Sequence, residues 1–366
     1  MKQIKKIGII GVGVIGGSLG LSIKRKVKDI EVIGVSSRKT IDEALSIKAI
    51  DVGYERAEID DCLAAADLIF LCTPISHILE ILPRVAKSIK AGCLVTDVGS
   101  TKQVIVEKAA SCFPKDRYFI GGHPMAGNEG HGISWADALL FENAVYILTP
   151  YQKIPNDLTN RFGRLIESIG AKLIFLTPGM HDKIAAKVSH LPQMLAVALM
   201  NFVIDTQKDK NLFLKLAAGG FRDMTRIASS SYSIWEDIIR TNSEEILKNI
   251  DLFIESLQSI KKDIRNDTLR KTFEKANSAR LSIPRDTKGF LRSHFDLSVW
   301  VEDRPGIIAQ IATILARENI NIKDIEVLKV REGDSGTLRL SFETEKARAD
   351  AQKFLKAVHI DSKFRD

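Results

Sequence analysis

His123 follows the apolar run Tyr118–Gly121 and sits inside Gly122-His123-Pro124. With a reference pKa of about 6.5, a histidine there suits general-base work near neutral pH. Pro124 keeps it out of helical geometry, and the flanking glycines read as room for a substrate. Among the seven histidines, only His123 combines a strand end, a glycine-rich turn and a following proline. A neighbouring strand-like run ends at Asp97 and leads into Val98-Gly99-Ser100-Thr101-Lys102, which puts Ser100 at a second strand end. Ligands on open α/β sheets bind outside such carboxyl ends. Asp223 and Arg226 lie three apart after Gly219-Gly220, so on a helix they share a face. Arginine's planar fork suits a carboxylate, although the same pair also reads as a surface ion pair. His190 and Gln193 are likewise three apart. His181-Asp182 reads as a helix-end cap, since no second histidine pair or distant aspartate set completes a metal site. His77, His131, His294 and His359 are solitary and carry no assigned chemistry.

Gly11-Val12-Gly13-Val14-Ile15-Gly16 follows a β-rich apolar run and opens a helix-like stretch reaching about Lys26. Such a loop needs glycine for a tight turn, for close backbone approach to a pyrophosphate, and for helix–strand packing. The helix N-terminus then offers free N–H groups to phosphates. A nicotinamide dinucleotide is therefore the expected cofactor, bound by Gly11, Gly13, Val14, Ile15 and Gly16, with Thr73, Pro74 and Asp97 at later strand ends. The second strand ends in Ser36-Ser37-Arg38-Lys39, with no carboxylate for the ribose hydroxyls. Ser36, Ser37 and Arg38 point to NADP, and NAD stays open.

Positioning these residues requires an α/β domain. Strand-like runs at Ile4–Ile10, Glu31–Val35, Leu68–Cys72, Cys93–Asp97 and Tyr118–Gly121 are mostly separated by helical stretches. That alternation predicts a parallel sheet with crossover helices over residues 1–177, finished by Ala144–Leu148 and Leu173–Leu176. From 178 to 276 the spacing is helical, including His181–Asp205, Lys210–Ala217 and Ser243–Asn266, and predicts an all-helical substrate and dimerisation domain, hence a homodimer. A basic, Ser- and Pro-bearing linker at 277–293 precedes a strand, helix, strand, strand, helix, strand order over 294–366, a ferredoxin-like βαββαβ unit.

The chain has 366 residues, 45% hydrophobic and 27% charged, as a globular protein does. Its net charge of +7 is concentrated between Lys261 and Arg292, which hold ten Lys or Arg against four Asp or Glu. No aromatic-rich groove or nucleic-acid motif accompanies it, so a solvated helix face is the reading and no nucleic acid is expected. The longest apolar run, Met194–Ile204, falls short of a bilayer span and reads as a buried helix. Four cysteines without C-x-x-C pairs and a start directly on a strand-like segment predict a cytoplasmic protein with no metal centre.

Gly-Gly-His-Pro-Met-Ala-Gly, Asp97-Val98-Gly99-Ser100-Thr101-Lys102, Ser189-His190-Leu191-Pro192 and Gly219-Gly220-Phe221-Arg222-Asp223-Met224-Thr225-Arg226 stand in the order seen in prephenate and arogenate dehydrogenases. The chain resembles that family from about Ile4 to Asn266. The resemblance implies a Rossmann-type domain and oxidative decarboxylation of prephenate to 4-hydroxyphenylpyruvate. It assigns His123 the proton of the substrate's C4 hydroxyl and Ser100 a hydrogen bond to the same hydroxyl. Arg226 would bind a carboxylate with Asp223 as its buttress near Gly219, Glu129 would gate the pocket, and Trp235 would stand near the active site. Family members that use prephenate often carry a second histidine where this chain has Gln193, so the keto substrate (prephenate) and the amino substrate (arogenate) both stay open.

Glu302-Asp303-Arg304-Pro305-Gly306-Ile307 and the elements around it resemble an ACT domain, a module that commonly binds amino acids between paired copies. L-tyrosine is the implied effector, and a purely dimerising module is the alternative. A 3-hydroxyacid-type dehydrogenase would need a lysine base with asparagine one turn later, and Lys187 is followed there by Leu191. A non-catalytic amino-acid sensor on a nucleotide fold is the remaining rival.

Overall fold

The computed structural model describes residues 4–127, 130–151, 154–206, 215–282, 295–302, 304–331 and 335–365. Glu129, most of the expected helix Lys210–Ala217 and most of the expected linker lie outside them. The chain divides into two compact units, residues 1–272 and 273–366.

The first unit is built on an eight-stranded sheet of order β3-β2-β1-β4-β5-β6-β7-β8. Its strands are β1 (Lys6–Ile10), β2 (Glu31–Ser36), β3 (Val52–Glu55), β4 (Leu68–Leu71), β5 (Leu94–Asp97), β6 (Tyr118–Pro124), β7 (Val145–Pro150) and β8 (Lys172–Phe175). The short β3 carries too little apolar alternation to stand out in the sequence. Helices α1 (Val14–Lys26), α2 (Arg38–Ser46), α3 (Ile59–Ala65), α4 (Ile75–Ser88), α5 (Gln103–Cys112) and α6 (Asn156–Ser168) alternate with the strands. Strands buried on both faces read as continuous apolar runs; Leu68, Ile69, Phe70 and Leu71 all have zero exposure.

The expectation of a parallel sheet holds from β3 to β6 and fails beyond it. β7 pairs antiparallel with β6, and β8 runs parallel to β7. The connection from β6 to β7 holds a single 3₁₀ turn, Ile133–Trp135, among its described residues. A parallel pairing would need a crossover, usually a helix. Pairing with β7 also prolongs β6, with His123 opposite Ile147 and Pro124 opposite Tyr146. His123 is thus clamped in a strand.

The rest of the first unit is helical. One continuous run combines α7 (Pro178–Ala185), a π-turn (Ala186–His190) and α8 (Leu191–Thr206). Then follow α9 (Gly219–Thr225), α10 (Tyr232–Thr241), α11 (Ser243–Arg265) and α12 (Leu269–Ser282), the last of which runs past residue 272 into the second unit. By length and composition the run 178–206 would suffice to cross a membrane, and 17% of its most apolar window is buried. The expected buried helix at Met194–Ile204 is thus mostly uncovered: within α8 only Gln193 and Ala196 are buried, because this chain packs on one side of the helix. α12 runs to Ser282, into the stretch expected to be linker.

The second unit contains β9 (Phe295–Val301), α13 (Ile307–Arg317), β10 (Asp324–Arg331), β11 (Ser335–Phe342), α14 (Glu345–Ala357) and β12 (Ser362–Arg365). Its antiparallel sheet has the order β10-β11-β9-β12 expected of a ferredoxin-like unit. Leu297, Val299, Leu338, Leu340 and Phe342 form its core with Ile311, Leu315 and Leu355.

Candidate active site

The glycine loop shows three separate demands. Gly11 has φ +95°, and a Cβ there would lie 2.7 Å from the carbonyl oxygen of Cys72. A Cβ on Gly16 would lie 2.1 Å from the Gly11 oxygen, so that glycine lets α1 pack on the turn. At Gly13 a Cβ would meet nothing within 4 Å, which leaves the loop open in front of the α1 N-terminus. No acid stands in the first turn of α1 to repel phosphate.

Two clefts adjoin this loop. One, about 340 Å³, is lined by Gly11, Ser36, Arg56, Thr73, Pro74, His77 and Arg84 among others. The second, about 540 Å³, runs from Val14, Ile15, Thr73 and Pro74 to Ser100, Gly127, His131 and Asp237. Thr73 borders both, and its buried hydroxyl has no protein partner among the described residues. An orphaned hydroxyl between two clefts, beside a glycine loop, fits a dinucleotide laid across the strand ends. Other expected cofactor contacts are placed differently. Arg38 is mostly exposed and held by Asp42 at 3.2 Å, outside the cleft, while Arg56 at the end of β3 lines it. Ser37 caps α2 by accepting from Thr40 N.

Asp97 does not reach either cleft. It is fully buried; its carboxylate pairs with Lys102 Nζ and accepts from Gly99 N at 2.8 Å and Gly122 N at 3.1 Å. Lys102 is also fully buried and donates to the Gly122 carbonyl at 2.6 Å. This pair stitches the end of β5 to the end of β6, so the Ser100 loop and the His123 strand move as one piece. Burial pulls the Lys102 pKa down, while the negative charge of Asp97 resists. Gly122 is part of the same stitch: a Cβ there would lie 2.5 Å from the Asp97 carbonyl oxygen. The expected room for substrate is therefore not at Gly122, and it is Gly127 that lines the cleft.

Behind His123 lies a partner that its sequence neighbours do not announce. His123 Nδ1 is 2.8 Å from His181 Nε2, and His181 Nδ1 is 2.7 Å from Asp182 Oδ1. Asp182 also accepts from the backbone N–H groups of Lys102 at 2.7 Å and Gln103 at 2.9 Å. The capping expectation thus describes Asp182, which caps α5, but not His181. Burial, then the nearby His181, Lys102 and His190, hold His123 well below the usual histidine range. That environment favours the neutral ring.

His190 joins the same cluster. The Asn242 amide donates to the Asp182 carbonyl at 3.0 Å and to His190 Nδ1 at 3.2 Å. His190 is buried, packs edge-on to Trp235 at 6.0 Å, and is pushed down to about 4, chiefly by burial. The π-turn makes this possible. Nine residues of regular helix advance about 900°, which sets His181 and His190 on opposite sides; one extra residue in a wide turn removes about 100° of that rotation. Gln193 donates to the carbonyl of Ile227 at 3.0 Å, so it anchors the turn Arg226–Ser229. Gly219, Asp223 and Arg226 themselves are exposed and line neither cleft.

Comparison with known proteins accords with this geometry. The family model for the prephenate dehydrogenase nucleotide-binding domain matches residues 19–175, and that for its dimerization domain matches 177–275. The prephenate dehydrogenase of Bacillus subtilis is 35% identical over 98% of this chain and 97% of its own. This chain belongs to the prephenate dehydrogenase family. An ACT domain model matches residues 295–353. Among solved structures, a prephenate dehydrogenase from Aquifex aeolicus in complex with hydroxyphenyl propionate and NAD+ superposes with a TM-score of 0.72 at 30% identity, over 77% of this chain and 99% of that one. The Synechocystis arogenate dehydrogenase gives 0.67 at 32% identity, over 75% and 98%. The chain is a nicotinamide-dinucleotide-dependent oxidoreductase with a Rossmann-type domain, a helical domain and an ACT domain.

Proposed function

We propose that the protein oxidises prephenate to 4-hydroxyphenylpyruvate, with arogenate as the lesser substrate. The observation that carries this is the half-buried His123, whose Nδ1 is held by His181 while Nε2 has no protein partner among the described residues. His123 Nε2 takes the proton of the C4 hydroxyl, and Ser100, on the cleft wall, orients that hydroxyl. A nicotinamide dinucleotide held at the Gly11–Gly16 loop would supply the acceptor for the hydride of C4. The ring then gains aromaticity as carbon dioxide leaves, so no metal is needed to drive the loss. Arg226 holds a carboxylate of the dianionic substrate, with Asp223 one helical turn before it as a buttress. Following absorbance at 340 nm with prephenate and with arogenate tests the reading, which fails if neither is oxidised.

Uncovered apolar side chains on the helices, including Val197, Phe202, Leu247, Leu252, Leu257 and Ile264, support a homodimer formed through residues 178–276. Four free thiols support a cytoplasmic protein.

NADP is the favoured cofactor. Among the described residues, the cleft containing Ser36 is lined by Arg56, His77 and Arg84 and by no carboxylate. Ser36→Asp is expected to raise the NAD-to-NADP ratio of kcat/KM at least about tenfold, by offering the ribose an acceptor and repelling a 2′-phosphate. A wild-type enzyme that already prefers NAD strongly refutes this.

The ACT unit acts as a sensor for L-tyrosine, one transamination beyond the product. Gly306 opens α13 at φ +89° with free space at its Cβ position, leaving room for a ligand's backbone groups. Truncation from Ser293 onward is expected to leave an active enzyme that millimolar tyrosine no longer inhibits. Equal sensitivity after truncation would mean tyrosine competes at the substrate site instead.

A further inference from the structure

His181 and Asp182 have no part in the chemistry assigned above, yet both are buried and face the base. We propose that His181 and Asp182 are positioning residues that hold His123 as its Nδ1–H tautomer, so that Nε2 alone is the proton acceptor. The inference rests on His123 being the base.

The hydrogen-bond directions leave little choice. The Asp182 carboxylate accepts only, so His181 donates from Nδ1, and a ring carrying that single proton presents a lone pair at Nε2. That lone pair accepts from His123 Nδ1, so the His123 proton sits there and its Nε2 is bare. Asp182 is itself locked by the Lys102 and Gln103 amides at the positive end of α5, and its carbonyl by Asn242. The carboxylate therefore cannot swing away, and the orientation of the base is tied to the loop that carries Ser100.

When His123 takes the substrate proton at Nε2, it becomes an imidazolium whose Nδ1–H still donates to His181. The new charge faces the buried Asp182 carboxylate across the His181 ring. Groups around His123 include Lys102, His181 and His190, which oppose the charge, and the buried carboxylates Asp97 and Asp182, which favour it. Without His181, the burial and Lys102 would remain and the acceptor for the His123 Nδ1–H would be gone.

The test uses full-length His181→Phe and His181→Gln, with His123→Asn as control. Phe fills the ring's space and accepts no hydrogen bond, whereas the Gln carbonyl can accept from His123 Nδ1. His181→Phe is expected to lose about 10²- to 10³-fold in kcat, with KM and cofactor Kd within about threefold of wild type. His181→Gln should recover at least about tenfold of the lost kcat. Cofactor binding and melting temperature establish that each variant is folded. Wild-type kcat in His181→Phe overturns the proposal, as does a loss in which Gln does no better than Phe. If His123→Asn is itself fully active, the assignment of the base has failed instead; if wild type oxidises neither substrate, the proposed function has.

Discussion

His123→Asn is expected to lower turnover by about 10²- to 10⁴-fold while leaving cofactor affinity unchanged, the effect of losing general-base catalysis. Asparagine keeps a polar side chain that can donate toward His181, so the buried ring behind it is not orphaned. It has no group that accepts a proton near neutral pH. The cofactor clefts are lined by other residues, which is why binding should survive. The wild-type acid limb of kcat/KM should lie below about pH 6.5, since burial and the surrounding cations favour the neutral ring. Steady-state rates from pH 5 to 9, with cofactor titration of the variant, check both parts. Turnover close to wild type would remove His123 from the mechanism.

Arg226→Ala is expected to raise the KM for prephenate by roughly 30-fold or more, corresponding to about 2 kcal/mol lost when a desolvated carboxylate loses its charged partner. The exposed side chain sits at the start of a 3₁₀ turn that Gln193 anchors through the Ile227 carbonyl. Deleting the guanidinium leaves that anchor in place. Arg226→Lys keeps the charge without the planar fork and should fall between the two. An unchanged KM in Arg226→Ala would make the residue structural. In the same logic, Gln193→Ala should disturb substrate binding indirectly, by releasing the turn.

Much of the nucleotide fold was legible in the sequence because its signals are local. A glycine with φ near +95° at the turn, a glycine open to the cleft and a glycine under the helix follow from spacing alone. The order of elements in the second unit was legible for the same reason, since period-2 and helical spacing alternate in short blocks. Ser100 and His123 stand out in the sequence because strand ends are where ligands meet open α/β sheets.

Only the tertiary structure decided what surrounds those residues. His181 is 58 positions from the histidine it supports, and nothing in either local pattern pairs them. The single extra residue of the π-turn rotates His190 toward Asn242, a change that helical periodicity cannot register. Asp97 looked like a cofactor ligand at a strand end, until the long reach of Lys102 sealed it beneath Gly122. Arg38 looked like a phosphate ligand, but Asp42 one turn on holds it, while Arg56 lines the cleft from the 3₁₀ turn that follows β3, a strand too short to notice. Spacing along the chain determines which face a side chain takes; which distant group meets it there depends on how whole elements pack.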